Sequence, residues 1–126
     1  MNPRVTQKDI TISDRQYRLT KMDPRLACWL FSVLAGKSTS DGQLLSSLGQ
    51  CSRELFDEIQ GQALKFVFFL DIKDGNTFPI PVVAPSGLFA DKILEGDPSE
   101  VFKLTAESIM FNVEPFVGSG KSTDQP

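Results

Sequence analysis

A chain of 126 residues, 40% hydrophobic and 23% charged, is long enough to bury one core and too balanced in composition for wholesale disorder. The absence of histidine removes the commonest general base, the usual metal ligand and every histidine-containing triad. The net charge of −3 is unevenly spread: residues 1–25 hold six basic and three acidic residues, the remainder seven basic and thirteen acidic. An acidic body argues against a nucleic-acid partner, and a basic arm on it suits head-to-tail contact between copies. The apolar run Phe66–Leu70 falls far short of the roughly 20 residues of a membrane span. The expectation is therefore a protein with no membrane partner. Cys28 and Cys51 fit no zinc or redox spacing and read as reduced, buried thiols of a cytosolic protein. Ten phenylalanines are more than a core this size needs, which points some of them at a partner.

Along the chain, Ile10-Thr11-Ile12 and Tyr17-Arg18-Leu19-Thr20 alternate apolar and polar residues around the polar turn Ser13–Gln16. This predicts a β-hairpin with Ile10, Ile12, Tyr17 and Leu19 on one face. Asp23-Pro24 opens a helix, with Asp as N-cap and Pro at the first helical position. That helix should end at Gly36. Its interior, Leu26–Leu34, is apolar nearly all round, as in a central helix or one that meets another subunit. A short helix is expected over Gly42–Leu48. Ser52 then caps a longer one, with Leu55, Phe56, Ile59, Ala63, Phe66, Val67 and Leu70 at helical spacing. Phe66–Ile72 would also suit a strand; the helical reading to about Leu70 is preferred, followed by a turn at Asp74-Gly75.

Ser86 predicts the start of a short helix ending at Gly96. Asp97 and Glu100 form a capping-box variant at the head of a last helix, with Val101, Leu104, Thr105, Ser108 and Phe111 along one face. Pro115 should end that helix near Glu114. The expected organisation is mainly α: a small helical domain with an N-terminal β-hairpin over residues 1–117, then a flexible tail over 118–126.

Motifs that could carry chemistry fail on their context. Gly118–Thr123 lacks the first glycine of a phosphate loop, since Pro115 stands there, and a helix rather than a strand precedes it. Gly36-Lys37-Ser38 fails in the same way at Phe31. Asp71, Asp74 and Asn76 surround a glycine at the wrong offset for a calcium loop. Serine and cysteine nucleophiles have no base to activate them. No catalytic residue, metal site or cofactor is expected, and the chain does not read as an enzyme.

Four segments together resemble the tail assembly chaperones of long-tailed, siphovirus-type bacteriophages. They are the opening hairpin with its basic arm, the apolar stretch Trp29–Leu34, the acid-led helix with Glu54-Leu55-Phe56, and Leu104–Phe116. The resemblance spans roughly residues 10–116. It implies a mostly helical, non-catalytic morphogenesis factor of the host cytoplasm. Such a factor coats the tape measure protein, keeps it soluble, helps recruit tail tube protein and self-associates. A structural neck or tail-completion subunit of the virion is the alternative. Trp29, Phe68, Phe69 and Phe116 are the candidate partner-binding residues.

Overall fold

Both hairpin turns are set in left-handed backbone. Ser13 and Asp14 have φ of 52° and 66°, and Asp74 and Gly75 have 53° and 78°. Two consecutive positive values are the mark of a type I′ turn, whose twist matches that of the strands it joins. In this computed structural model, which describes residues 6–37, 45–90 and 92–122, each turn closes a hairpin. The first joins β1 (Gln7–Ile12) to β2 (Arg15–Thr20), and the second joins β3 (Val67–Lys73) to β4 (Asn76–Pro81). Leu19 opposite Val67 and Tyr17 opposite Phe69 join the hairpins into one antiparallel sheet of order β1-β2-β3-β4.

The fold is therefore α+β, and the mainly helical expectation is overturned by the second hairpin. Helix α2 (Arg53–Leu64) stops before Phe66, although apolar spacing continues to Leu70. Phe66–Ile72 is dense in aromatic and β-branched residues, which suit a pleated surface. As a strand it also gains backbone partners on both sides, from β2 and β4, that a longer helix could not give it.

The helices lie on one face of the sheet. They are α1 (Pro24–Lys37), α2, the short α3 (Lys92–Glu95) and α4 (Pro98–Ser122), with a 3-10 helix at Leu45–Gln50. Helix α4 is the middle layer. Its Val101, Leu104 and Phe111 pack with Tyr17, Leu19, Val67, Val82 and Leu94 against the sheet. Its Ile109 and Val113 pack with Ala27, Leu30, Leu34, Ile59 and Ala63 of α1 and α2. As the first hairpin's alternation predicts, Ile10, Ile12, Tyr17 and Leu19 share the helix-side cluster.

Polar groups buried along α4 are used as structural ties. Ser108 Oγ donates to the Ala63 carbonyl at 2.7 Å. Asn112 accepts from the Met22 N–H at 2.8 Å through its side-chain oxygen, and its amide donates to the Ser108 carbonyl at 2.9 Å. Each such bond contributes about 1 kcal/mol, and leaving its partner dry and unpaired costs more. Glu100, 2% exposed, accepts from the Tyr17 hydroxyl and lies 3.7 Å from the Arg15 guanidinium.

The caps agree with the sequence in two helices and differ in a third. Asp23 accepts from Arg25 N–H at 2.7 Å, and Ser52 accepts from Leu55 N–H at 3.1 Å. Asp97 accepts from Glu100 N–H at 3.1 Å, but the Glu100 carboxylate does not complete the box, being engaged by Tyr17. Helix α1 runs through Gly36 to Lys37. Of the short helix expected at 42–48, residues 45–48 lie in the 3-10 helix and 42–44 fall outside the described residues. The segment after Ser86 is an irregular loop with Gly87 at φ 93° and a bridge between Val83 and Phe89. Helix α4 continues past Pro115 to Ser122, so residues 118–122 of the expected tail are helical backbone, and 123–126 lie outside the described residues.

Candidate interaction surface

Strand alternation divides the apolar residues of β3 and β4 between two faces. Val67 and Phe69 share the helix side with Phe78, Ile80 and Val82, while Phe68, Leu70 and Ile72 face outward beside Pro79 and Pro81. Phe68 lies opposite Pro81, Leu70 opposite Pro79, and Ile72 opposite Thr77. Leu70 is only 5% exposed yet belongs to neither core cluster.

The turn-proximal half of this hairpin is uncovered on both faces. Residues 72–81 are all exposed, and the large apolar side chains among them, Ile72 (54%), Phe78 (49%) and Ile80 (38%), lie on opposite sides of the ribbon. The helix layer covers Val82 and Val67 and stops short of Phe78. The charged residues of this stretch are Asp71, Lys73 and Asp74; Lys73 and Asp71 pair at 3.3 Å, and Asp74 sits in the turn. Phe102 (48%) on α4, Trp29 (37%) on α1, Leu88 and Met110 are further exposed apolar side chains.

Of the four residues picked from sequence, the structure describes three side chains and does not gather them. Trp29 lies on the solvent side of α1, next to Cys28, which is exposed and not the buried thiol expected. Cys51 is half-buried, and both cysteines are free. Phe68 is half-buried on the outer face of the sheet. Phe69 is half-buried on the helix side, edge-on to Tyr17 at 5.9 Å and under the Arg15 guanidinium at 5.2 Å. The Phe116 side chain lies outside the described residues. Sequence reasoning passed over Ile72, Phe78 and Ile80. The signal for them was Asp74-Gly75, a hairpin turn flanked by apolar runs.

Phenylalanine in this molecule is a residue of the rim. Among the nine described phenylalanine side chains only Phe111 is fully buried; Phe78 and Phe102 are exposed and the others are half-buried. The basic hairpin, by contrast, meets acids of its own chain. Arg18 grips Asp9 through Nε and Nη2 at 2.8 and 3.2 Å, Arg15 approaches Glu100, and Lys8 lines a cavity of about 120 Å³ with Glu107, Met110, Phe111 and Glu114.

Among the described residues no cluster of three or more histidine, cysteine or acidic side chains is placed to hold a metal ion. No described helix is long and apolar enough to cross a membrane. No family model matches this chain, and no curated protein or solved structure gives a significant match.

Proposed function

We propose that this chain is a non-catalytic tail assembly chaperone that holds the tape measure protein in solution and helps bring tail tube protein to it. The observation that carries the reading is the β3–β4 hairpin, whose Ile72, Phe78 and Ile80 stand exposed on both faces of the ribbon. A protein that shields a long apolar helix needs exposed apolar surface of its own. Several weak contacts along such a partner add up by avidity without one tight site. Trp29 on α1 and Phe102 on α4 are further exposed apolar side chains, away from the hairpin, that offer separate weak contacts. The resemblance over residues 10–116 supplies the identity of the partner.

Co-expression with the tape measure protein encoded nearby in the same genome tests the proposal. The tape measure is expected to stay soluble and to co-purify with this chain. Ile72→Asp and Phe78→Asp, at exposed positions, should lower the recovered soluble tape measure several-fold while the circular dichroism of the purified variants stays native. Equal precipitation with and without this chain overturns the reading. Finding the chain in mature particles would then favour a structural neck or tail-completion subunit.

A further inference from the structure

The sheet has two edges, and their backbones differ. A two-residue turn makes its closing residues a hydrogen-bonded pair, and from there bonded and non-bonded pairs alternate along the ladder. In the second hairpin the closing pair is Lys73–Asn76, so Phe78 and Ile80 also point their backbone groups at β3. Thr77, Pro79 and Pro81 point theirs outward. Two of the outward N–H positions on the β4 edge are therefore proline nitrogens, and no incoming strand can accept a hydrogen bond from them.

In the first hairpin the closing pair is Ile12–Arg15, so Ile10 and Lys8 bond to β2. The Thr20 N–H donating to the Phe66 carbonyl at 2.9 Å confirms the phase, because it turns Thr20, Arg18 and Gln16 toward β3. Gln7, Asp9 and Thr11 are left pointing outward from β1, each with an N–H donor and a carbonyl acceptor. One edge of the sheet is closed and the other is complete.

We infer that β1 pairs antiparallel with β1 of a second copy of this chain, about a two-fold axis at Ile10, to give a continuous eight-stranded sheet. The inference is independent of the chaperone reading. Three features select a second copy and this register. Centring the pair on Asp9 or on Lys8 sets like charges directly opposite, which is destabilising. A centre at Thr11 sets Asp9 and Lys8 against the left-handed turn residues Ser13 and Asp14, which cannot continue the ladder. Centring it on Ile10 sets Ile10 against Ile10, Asp9 against Thr11 and Lys8 against Ile12, with no like-charge pair. Ile10 and Ile12, half-buried at the margin of the helix-side cluster, then gain apolar cover that the described residues leave incomplete. The proline edge prevents the sheet from growing further, so edge pairing closes as a dimer and does not run on as a fibre.

Sedimentation velocity over a concentration series, together with cysteine crosslinking, tests this. The chain is expected to show a concentration-dependent dimer. Thr11→Pro removes an outward N–H and leaves the β1–β2 bonds intact, so it should yield a folded monomer. In a Cys28→Ser/Cys51→Ser background, Ile10→Cys should form a dimer on mild oxidation. The non-bonded pair it occupies places Cα atoms about 4.5 Å apart, within disulfide reach. Ile12→Cys, whose twin lies four residues along the ladder at roughly 13 Å, should not. A monomer at every concentration, or Ile10→Cys failing to crosslink any better than Ile12→Cys, overturns the inference. A dimer that persists in folded Thr11→Pro overturns it as well.

Discussion

Lys21 Nζ donates a hydrogen bond to the carbonyl of Phe111, the acceptor that an ordinary residue at position 115 would serve from within the helix. Proline has no N–H to offer there, and a helix interrupted in this way usually stops. Here an ammonium from the strand-to-helix connection replaces the missing donor and lies 4.0 Å from the centre of the Phe111 ring. Burial draws the Lys21 ammonium below its ordinary pKa, and the charge of Glu114 opposes that shift.

Lys21→Met is expected to cost about 1–2 kcal/mol, because it strands a partly buried carbonyl. Pro115→Ala restores an in-helix donor, so in that background the same Lys21 change should cost measurably less. Urea unfolding of the four proteins in this cycle reads the coupling directly. Equal costs in both backgrounds would show that Lys21 does not serve the proline gap.

Tyr17→Phe should lower stability by about 1–3 kcal/mol, more than the loss of an exposed hydroxyl. It leaves the Glu100 carboxylate buried without the O–H that donates to it. If Glu100 is first replaced by Leu, the cost of Tyr17→Phe should fall sharply. Thermal unfolding of the two singles and the double variant checks this.

Hydrogen bonds from Arg18 hold the Asp9 carboxyl below its reference value of 3.8, with burial opposing and the Arg18 charge assisting. A carboxylate depressed in the folded state contributes stability above its unfolded pKa and loses it as pH falls through the folded value. The contribution is small, because the pair is exposed and screened by solvent. A side-chain NMR titration should place the Asp9 midpoint below 3.8, and Arg18→Met should return it toward that value. An unchanged midpoint in the variant would remove Arg18 as the cause.

Two glycine-to-alanine changes should act with opposite signs. At Gly75 (φ 78°) an added Cβ meets no neighbour within 4 Å, but the left-handed backbone disfavours it, costing about 1 kcal/mol. Gly61, in the interior of α2, also has open space around it and takes ordinary helical backbone. There alanine should stabilise by roughly 0.5–1 kcal/mol. Chemical denaturation of both variants decides the signs.

The first hairpin, the caps at Asp23, Ser52 and Asp97, and the apolar face of α4 were all legible from residue order, because each rests on neighbours within a few positions. What was not legible depended on distant partners. Phe66–Leu70 carries both helical and strand spacing, and only pairing with Leu19 and Ile80 decides between them. Pro115 reads as a stop until Lys21 is seen to bond the Phe111 carbonyl. The same ambiguity hid the candidate surface. With β3 taken as helix, Ile72, Phe78 and Ile80 had no common frame, and Phe68 and Phe69 could not be assigned to opposite faces.

The bond between Tyr17 and Glu100 spans 83 positions of sequence, which bears on how the chain comes off the ribosome. Helix α4 follows everything it packs against, so the helix-side face of the sheet and the inner faces of α1 and α2 emerge before their shared cover has been made. Until Val101, Leu104, Ile109 and Val113 are synthesised, Tyr17, Leu19, Leu30 and Ile59 have no completed core to enter. The nascent chain therefore carries more bare apolar surface than the finished protein. Its native layering forms as a late, concerted step, and truncation ahead of α4 should leave a product that collapses without settling.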